Sequence, residues 1–137
     1  MKLIRLATLI AVTLAQPLLA EVSKERTAVL NTLKSAGIPV GEIVEEKRTE
    51  GTPLPNCYAE NFSFALPSVA PKGGQIFICT KKAYGDALVA YFKKLEAIAG
   101  PYVYQSKDGK VVAQMTSSLP VADAEKVEAA FSELRLP

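Results

Sequence analysis

Asp108-Gly109 stands between two β-prone segments, YVYQS at residues 102–106 and KVVAQMTS at 110–117, and no other feature constrains the folding of this chain as tightly. An Asp-Gly pair between apolar residues favours a two-residue hairpin turn, because glycine accepts the positive φ such a turn requires. Setting Lys107 opposite Lys110 fixes the register. Tyr104 then faces Ala113, Tyr102 faces Met115 and Ser106 faces Val111 on one side of the ribbon. The other side carries Val103, Gln105, Val112, Gln114 and Thr116. A helix is expected next, since Val121, Ala124, Val127, Phe131 and Leu134 recur at three- and four-residue steps, with Pro120 and Asp123 in the first turn.

The same succession precedes this hairpin. Residues 57–66 alternate, with Tyr58, Phe62, Phe64 and Leu66 on one side and Ala59, Asn61, Ser63 and Ala65 on the other, the period of a half-buried strand. After the loop PSVAPKGG at 67–74, QIFICT at 75–80 is apolar on both faces, the mark of an interior strand covered from two sides. A helix over 82–99 is expected to turn Leu88, Tyr91, Phe92, Leu95 and Ile98 inward and to stop at Gly100-Pro101. Aligning GGQIFICTKK with DGKVVAQMTSS brings Phe92 and Phe131 to comparable places.

A lone hairpin is marginal in water, so two such units gain by sharing one sheet. Ahead of them, residues 22–36 read as a helix with Val22, Val29, Leu33 and Ala36 at helical spacing, Ser23 as cap and Gly37-Ile38-Pro39 as stop. A short, charged edge strand is expected around Ile43 and Val44. The expected fold is therefore α+β: an N-terminal helix and short strand, then two ββα units sharing one four- to five-stranded, mainly antiparallel sheet, with both unit helices packed on one face.

The first residues, MKLIRLATLIAVTLAQPLLA, place Lys2 and Arg5 ahead of an apolar run and end on small Ala20, the layout of a secretory signal peptide. The apolar run is shorter than the ~20 residues that span a bilayer. Cleavage after Ala20, with Ala15 as the second choice, leaves a single domain over 21–137 in the periplasm or outside the cell, with no stable membrane span. The whole chain has 16 Lys and Arg against 14 Asp and Glu, and Lys2 and Arg5 leave with the leader, so the remaining charge balances. A neutral chain without a basic run lacks the electrostatic footprint of nucleic-acid binding. Cys57 and Cys79 are the only cysteines, and in an oxidising compartment an even pair reads as one disulfide. That bridge would stabilise by ~3 kcal/mol through loop closure.

Histidine is absent, which removes the commonest general base and metal ligand and every Ser-His or Cys-His pair. Glu45 and Glu46 are the candidate carboxylates for a hydrolase, but no spacing specifies a facing pair. The KGG at 72–74 runs into a strand, whereas a phosphate loop runs into a helix. Asn61-Phe62-Ser63 matches the glycosylation sequon inside an expected strand. No cofactor or metal site is expected.

These readings point to a non-catalytic binding or accessory protein of the cell envelope, including an inhibitor-like module, whose partner is another envelope or extracellular protein. The candidate surfaces are the ribbon side with Val103, Gln105, Val112, Gln114 and Thr116, and a presented loop with Pro67, Pro71 and Lys72. Tyr102 and Tyr104 share the side expected to face the core; were that side open, they would form an aromatic platform. A structural subunit of a surface layer or appendage is the alternative, and a carboxylate-dependent hydrolase a more distant one.

Overall fold

The computed structural model describes residues 22–47 and 51–137, so the leader expected at 1–20 lies outside the described residues. Helix α1 (Lys24–Ser35) opens the chain. The Ser23 hydroxyl accepts a hydrogen bond from the Arg26 N–H at 3.0 Å, as a helix cap should. At the other end Gly37 takes φ +79°, the Ile38 N–H reaches back to the Leu33 carbonyl and the Gly37 N–H to that of Lys34. That paired bonding is the Schellman stop, and it buries Ile38 against the core.

Strand β1 (Ile43–Glu45) is followed by β2 (Glu60–Ala65), β3 (Gly73–Ile78), α2 (Lys82–Lys94), the short α3 (Glu96–Ala99), β4 (Val103–Gln105), β5 (Val111–Met115) and α4 (Val121–Glu133). All five strands join one antiparallel sheet in the order β1-β2-β3-β5-β4. The α+β class and the shared sheet match the sequence reading. In the second hairpin Val103 pairs with Gln114, Tyr104 with Ala113 and Gln105 with Val112, the expected register. The turn differs in kind. Gly109 alone takes a positive φ and its N–H bonds the Ser106 carbonyl, so Lys107-Asp108 form the turn and Gly109 the bulge that follows it. A true two-residue turn would have required Asp108 in the left-handed region as well, which costs a non-glycine residue energy.

The helices correct a larger expectation. They do not share a face. Val29 and Leu33 of α1 and Val127 and Phe131 of α4 pack with Phe62, Ile76, Val111 and Met115 in one continuous core. Leu88 and Phe92 of α2 pack instead with Phe77, Cys79 and Val112 on the opposite face. The cause is written in β3: with Ile76 and Ile78 on one side and Phe77 and Cys79 on the other, the strand needs cover twice. Exchanging two neighbouring antiparallel strands by a twofold axis would keep their helices on one face. The resemblance between the two units therefore stops at the succession of elements.

The helix expected over 82–99 also breaks. Leu95 leaves helical geometry with φ −99° and ψ 11°, the chain restarts as α3, and Ile98, expected inside, is 87% exposed. Among the described residues no helix is long and apolar enough to cross a membrane.

Candidate binding site

The two faces of the sheet end up with different cover. Across the α1–α4 face the side chains are apolar from β2 to β5 apart from Glu60, which meets Arg26 of α1. Across the other, α2 shields only the half that carries Phe77 and Val112. The register places Val44, Ser63, Gln75 and Gln114 in one row along the remaining half, with Val103 at its end packed against the α2 cluster. A groove of about 480 Å3 lies over this polar row, lined by Ser63, Gln75, Gln114 and Thr116 with Pro71 and Lys72 at its side.

Gln75 also lines a second cavity of about 390 Å3, set between α2 and the chain leading into β2. Its walls are aromatic. Tyr58 meets Phe77 edge-on at 5.1 Å between centroids, Phe77 meets Phe92 at 5.4 Å, and Tyr91 meets Phe92 at 5.3 Å. Strand alternation over 57–66 had put Tyr58 with Phe62 and Phe64, but regular strand begins only at Glu60, and the freed chain turns Tyr58 to the α2 side. The floor is polar. The Gln75 side-chain N–H donates to the Asn61 side-chain oxygen at 2.9 Å, and Asn61 is only 7% exposed. That burial also takes the Asn61 sequon out of reach of a glycan.

Each residue singled out from sequence has a definite place. Val112 is fully buried beneath α2 and cannot touch a partner, and Val103 is half-buried against the same helix. Gln105 spends its side-chain N–H groups on Asp86 of α2 at 2.8 Å and on the Gly109 carbonyl at 2.9 Å. The hydrogen bond from Gln105, with that from Lys82, holds the Asp86 carboxyl below its ordinary range. Gln114 and Thr116 do line the open groove, together with Pro71 and Lys72 of the loop. Pro67 is exposed at the start of the loop, away from that lining. The loop is pinned, with Val69 packed against the core and the Lys72 ammonium donating to Ser118 at 3.2 Å. Tyr102 and Tyr104 pack against the α1–α4 core and form no open platform. Burial, with Glu128 and Tyr102 nearby, pushes the Tyr104 hydroxyl up to about 12.

No disulfide joins Cys57 and Cys79, which corrects the expected bridge. Cys79 is buried, and desolvation, with Cys57 contributing, raises its thiol to about 12. A thiol so disfavoured as thiolate is a poor nucleophile and metal ligand. The carboxylates separate. Glu45 is clamped by the Arg26 guanidinium, which also contacts Glu60 at 3.3 Å and lies 4.4 Å from the Phe62 ring centroid. The Arg26 hydrogen bonds hold the Glu45 carboxyl below its ordinary range. Glu46, one residue on, turns to the other face and accepts from the Ser63 hydroxyl at 2.7 Å. Among the described residues no three His, Cys, Asp or Glu side chains gather as a metal site.

Asn61, Gln75, Tyr58 and Tyr91 were not among the residues that sequence reasoning selected. The available signal was a polar residue inside each of two strands, at Asn61 and Gln75. No known protein family, curated protein or solved structure matches the chain.

Proposed function

We propose that the protein is an exported, non-catalytic binding protein of the cell envelope, and that it engages its ligand on the α2 side of the sheet. The observation that carries this reading is the aromatic cavity with the buried Asn61 and half-buried Gln75 amides for a floor, opening onto an uncovered polar row. Binding pockets are mostly apolar with a few converging polar groups, and this cavity has that composition. Glu45 and Glu46, the carboxylates the sequence offered for a hydrolase, are committed on opposite faces, which weighs against one. Export rests on the composition of residues 1–20.

The test has two arms. Cell fractionation with intact-mass measurement should find a chain beginning at Glu21 outside the cytoplasm; an unprocessed cytoplasmic chain contradicts export. Adding envelope extract to 15N-labelled protein should shift resonances of Gln75, Gln114 and Thr116, and an unchanged spectrum contradicts the binding reading.

One observation favours the structural-subunit alternative: edge strand β1 leaves Ile43 39% and Val44 50% exposed. Self-pairing of β1 about Val44 would set Glu42 opposite Glu46 of the second copy, and like charges directly opposed destabilise a sheet. A monomer that persists on dilution in size-exclusion chromatography counts against assembly.

A further inference from the structure

Asn61 carries two N–H donors and an oxygen with two lone pairs, yet one hydrogen bond to Gln75 is its only side-chain bond among the described residues. An amide this deeply buried costs stability unless its hydrogen-bonding groups are matched. The Asn61 amino group and the Gln75 carbonyl oxygen are left to the cavity, where neither is sealed as a buried unpaired atom. Exchanging oxygen and nitrogen in both amides leaves the same kinds of group, because a head-to-tail pair always leaves one amino group and one carbonyl oxygen outside the bond.

A donor with an acceptor is the complement of one extended peptide residue, whose own N–H and C=O point to the same side and can meet both. Charge narrows the class further. Among the described residues Glu46 and Lys47 are the ionisable side chains at the rim besides tyrosine, and they balance, so these residues offer a phosphate-bearing ring no excess cation. Tyr91 meets Phe92 at 74°, so the lining presents rings at different angles and not one flat face. A sugar prefers one flat, open aromatic face on which to stack.

We infer that the cavity lined by Tyr58, Tyr91 and Phe92, with Phe77 packed behind them, receives an aromatic side chain of a peptide, and that Asn61 and Gln75 bind the main-chain N–H and C=O of that residue. This rests on the reading of the α2 side as the binding face and names the ligand class for it. The hydrogen bonds select peptide over bare hydrocarbon, because an apolar ring would leave both amides unmatched.

The experiment is a titration of 15N-labelled protein with three probes: N-acetylphenylalaninamide, benzyl alcohol and N-acetylglucosamine. The first should shift the Asn61 and Gln75 side-chain NH2 resonances saturably, and benzyl alcohol should bind at least tenfold more weakly. Asn61→Leu and, separately, Gln75→Leu should each weaken N-acetylphenylalaninamide at least tenfold while resonances of the α1–α4 core stay in place. Equal binding of benzyl alcohol overturns the amide role. Binding of N-acetylglucosamine with none of the phenylalanine probe overturns the peptide class. Should no probe reach Asn61 while envelope extract still shifts Gln114 and Thr116, the inference falls and the binding reading survives; silence in both experiments removes both.

Discussion

The α1–α4 face and the α2 face of this sheet are built from the same five strands, yet one is sealed and the other is half open. On the first, Phe62, Ile76, Val111, Met115 and Phe131 have no more than 1% of their surface in water. On the second, Phe77 and Val112 are equally buried, but the row through Ser63, Gln75 and Gln114 lies beyond the reach of α2. Two helices cover the sealed face and one helix, broken at Leu95, covers the other. The difference teaches that stability and recognition are divided between faces: apolar area removed from water holds the fold, and residues spared from that task remain to bind.

The largest effect should follow from opening the sealed face. Phe131→Ala should cost about 3–5 kcal/mol in urea unfolding, the range for deleting a buried ring. Phe92→Ala, at the wall of the cavity, should cost less, because the vacated space joins an existing opening instead of becoming a sealed void. Equal losses would break the comparison. Gly85→Ala comes next. A Cβ there would collide with the Gly109 carbonyl oxygen, so α2 would have to lift from the hairpin tip, at about 1–3 kcal/mol. Hydrogen exchange should then quicken in α2 while α4 stays protected.

A smaller effect belongs to Asp108, whose carboxylate accepts from the Ser106 hydroxyl at 2.6 Å and from the Leu136 N–H at 2.7 Å, tying the C-terminal segment to the hairpin. Burial alone would raise its pKa, but these hydrogen bonds and that of Lys110 outweigh it, and the net shift is downward from 3.8. A lowered carboxyl pKa stabilises the fold above its unfolded value and loses that contribution as pH falls through the folded value. Asp108→Ala should therefore cost about 1–2 kcal/mol at neutral pH. The gap in melting temperature from the parent protein should close as pH drops below about 4. The smallest change is expected at Gln75→Leu, about 1 kcal/mol in urea unfolding, since it removes no core contact on the sealed face but takes from buried Asn61 its hydrogen-bond partner.

Much of the fold was legible in the residues. The second hairpin's register, the cap at Ser23 and the stop at Gly37 all follow from local chemistry, in which a few adjacent residues decide the outcome. The side on which α2 docks was legible too, in the doubly apolar QIFICT, but pattern likeness between the two units argued for one face and pointed the wrong way. The site was much less legible. It needs Asn61 beside Gln75, and that neighbourhood depends on how β2 pairs with β3 across a proline-containing loop that carries no turn signal as specific as Asp-Gly. It also needs Tyr58 to leave the strand alternation and α2 to end at Leu95. Both are consequences of packing between distant segments, which no local spacing encodes.

The central claim is the unequal cover of the two faces, and a soluble gadolinium chelate added to labelled protein tests it most directly. The side-chain amides of Gln75 and Gln114 should broaden, while the Met115 methyl and the Val111 and Val127 methyls should not. Protection of Gln75 and Gln114 equal to that of Val111 would mean that the second face is closed, and would contradict the account.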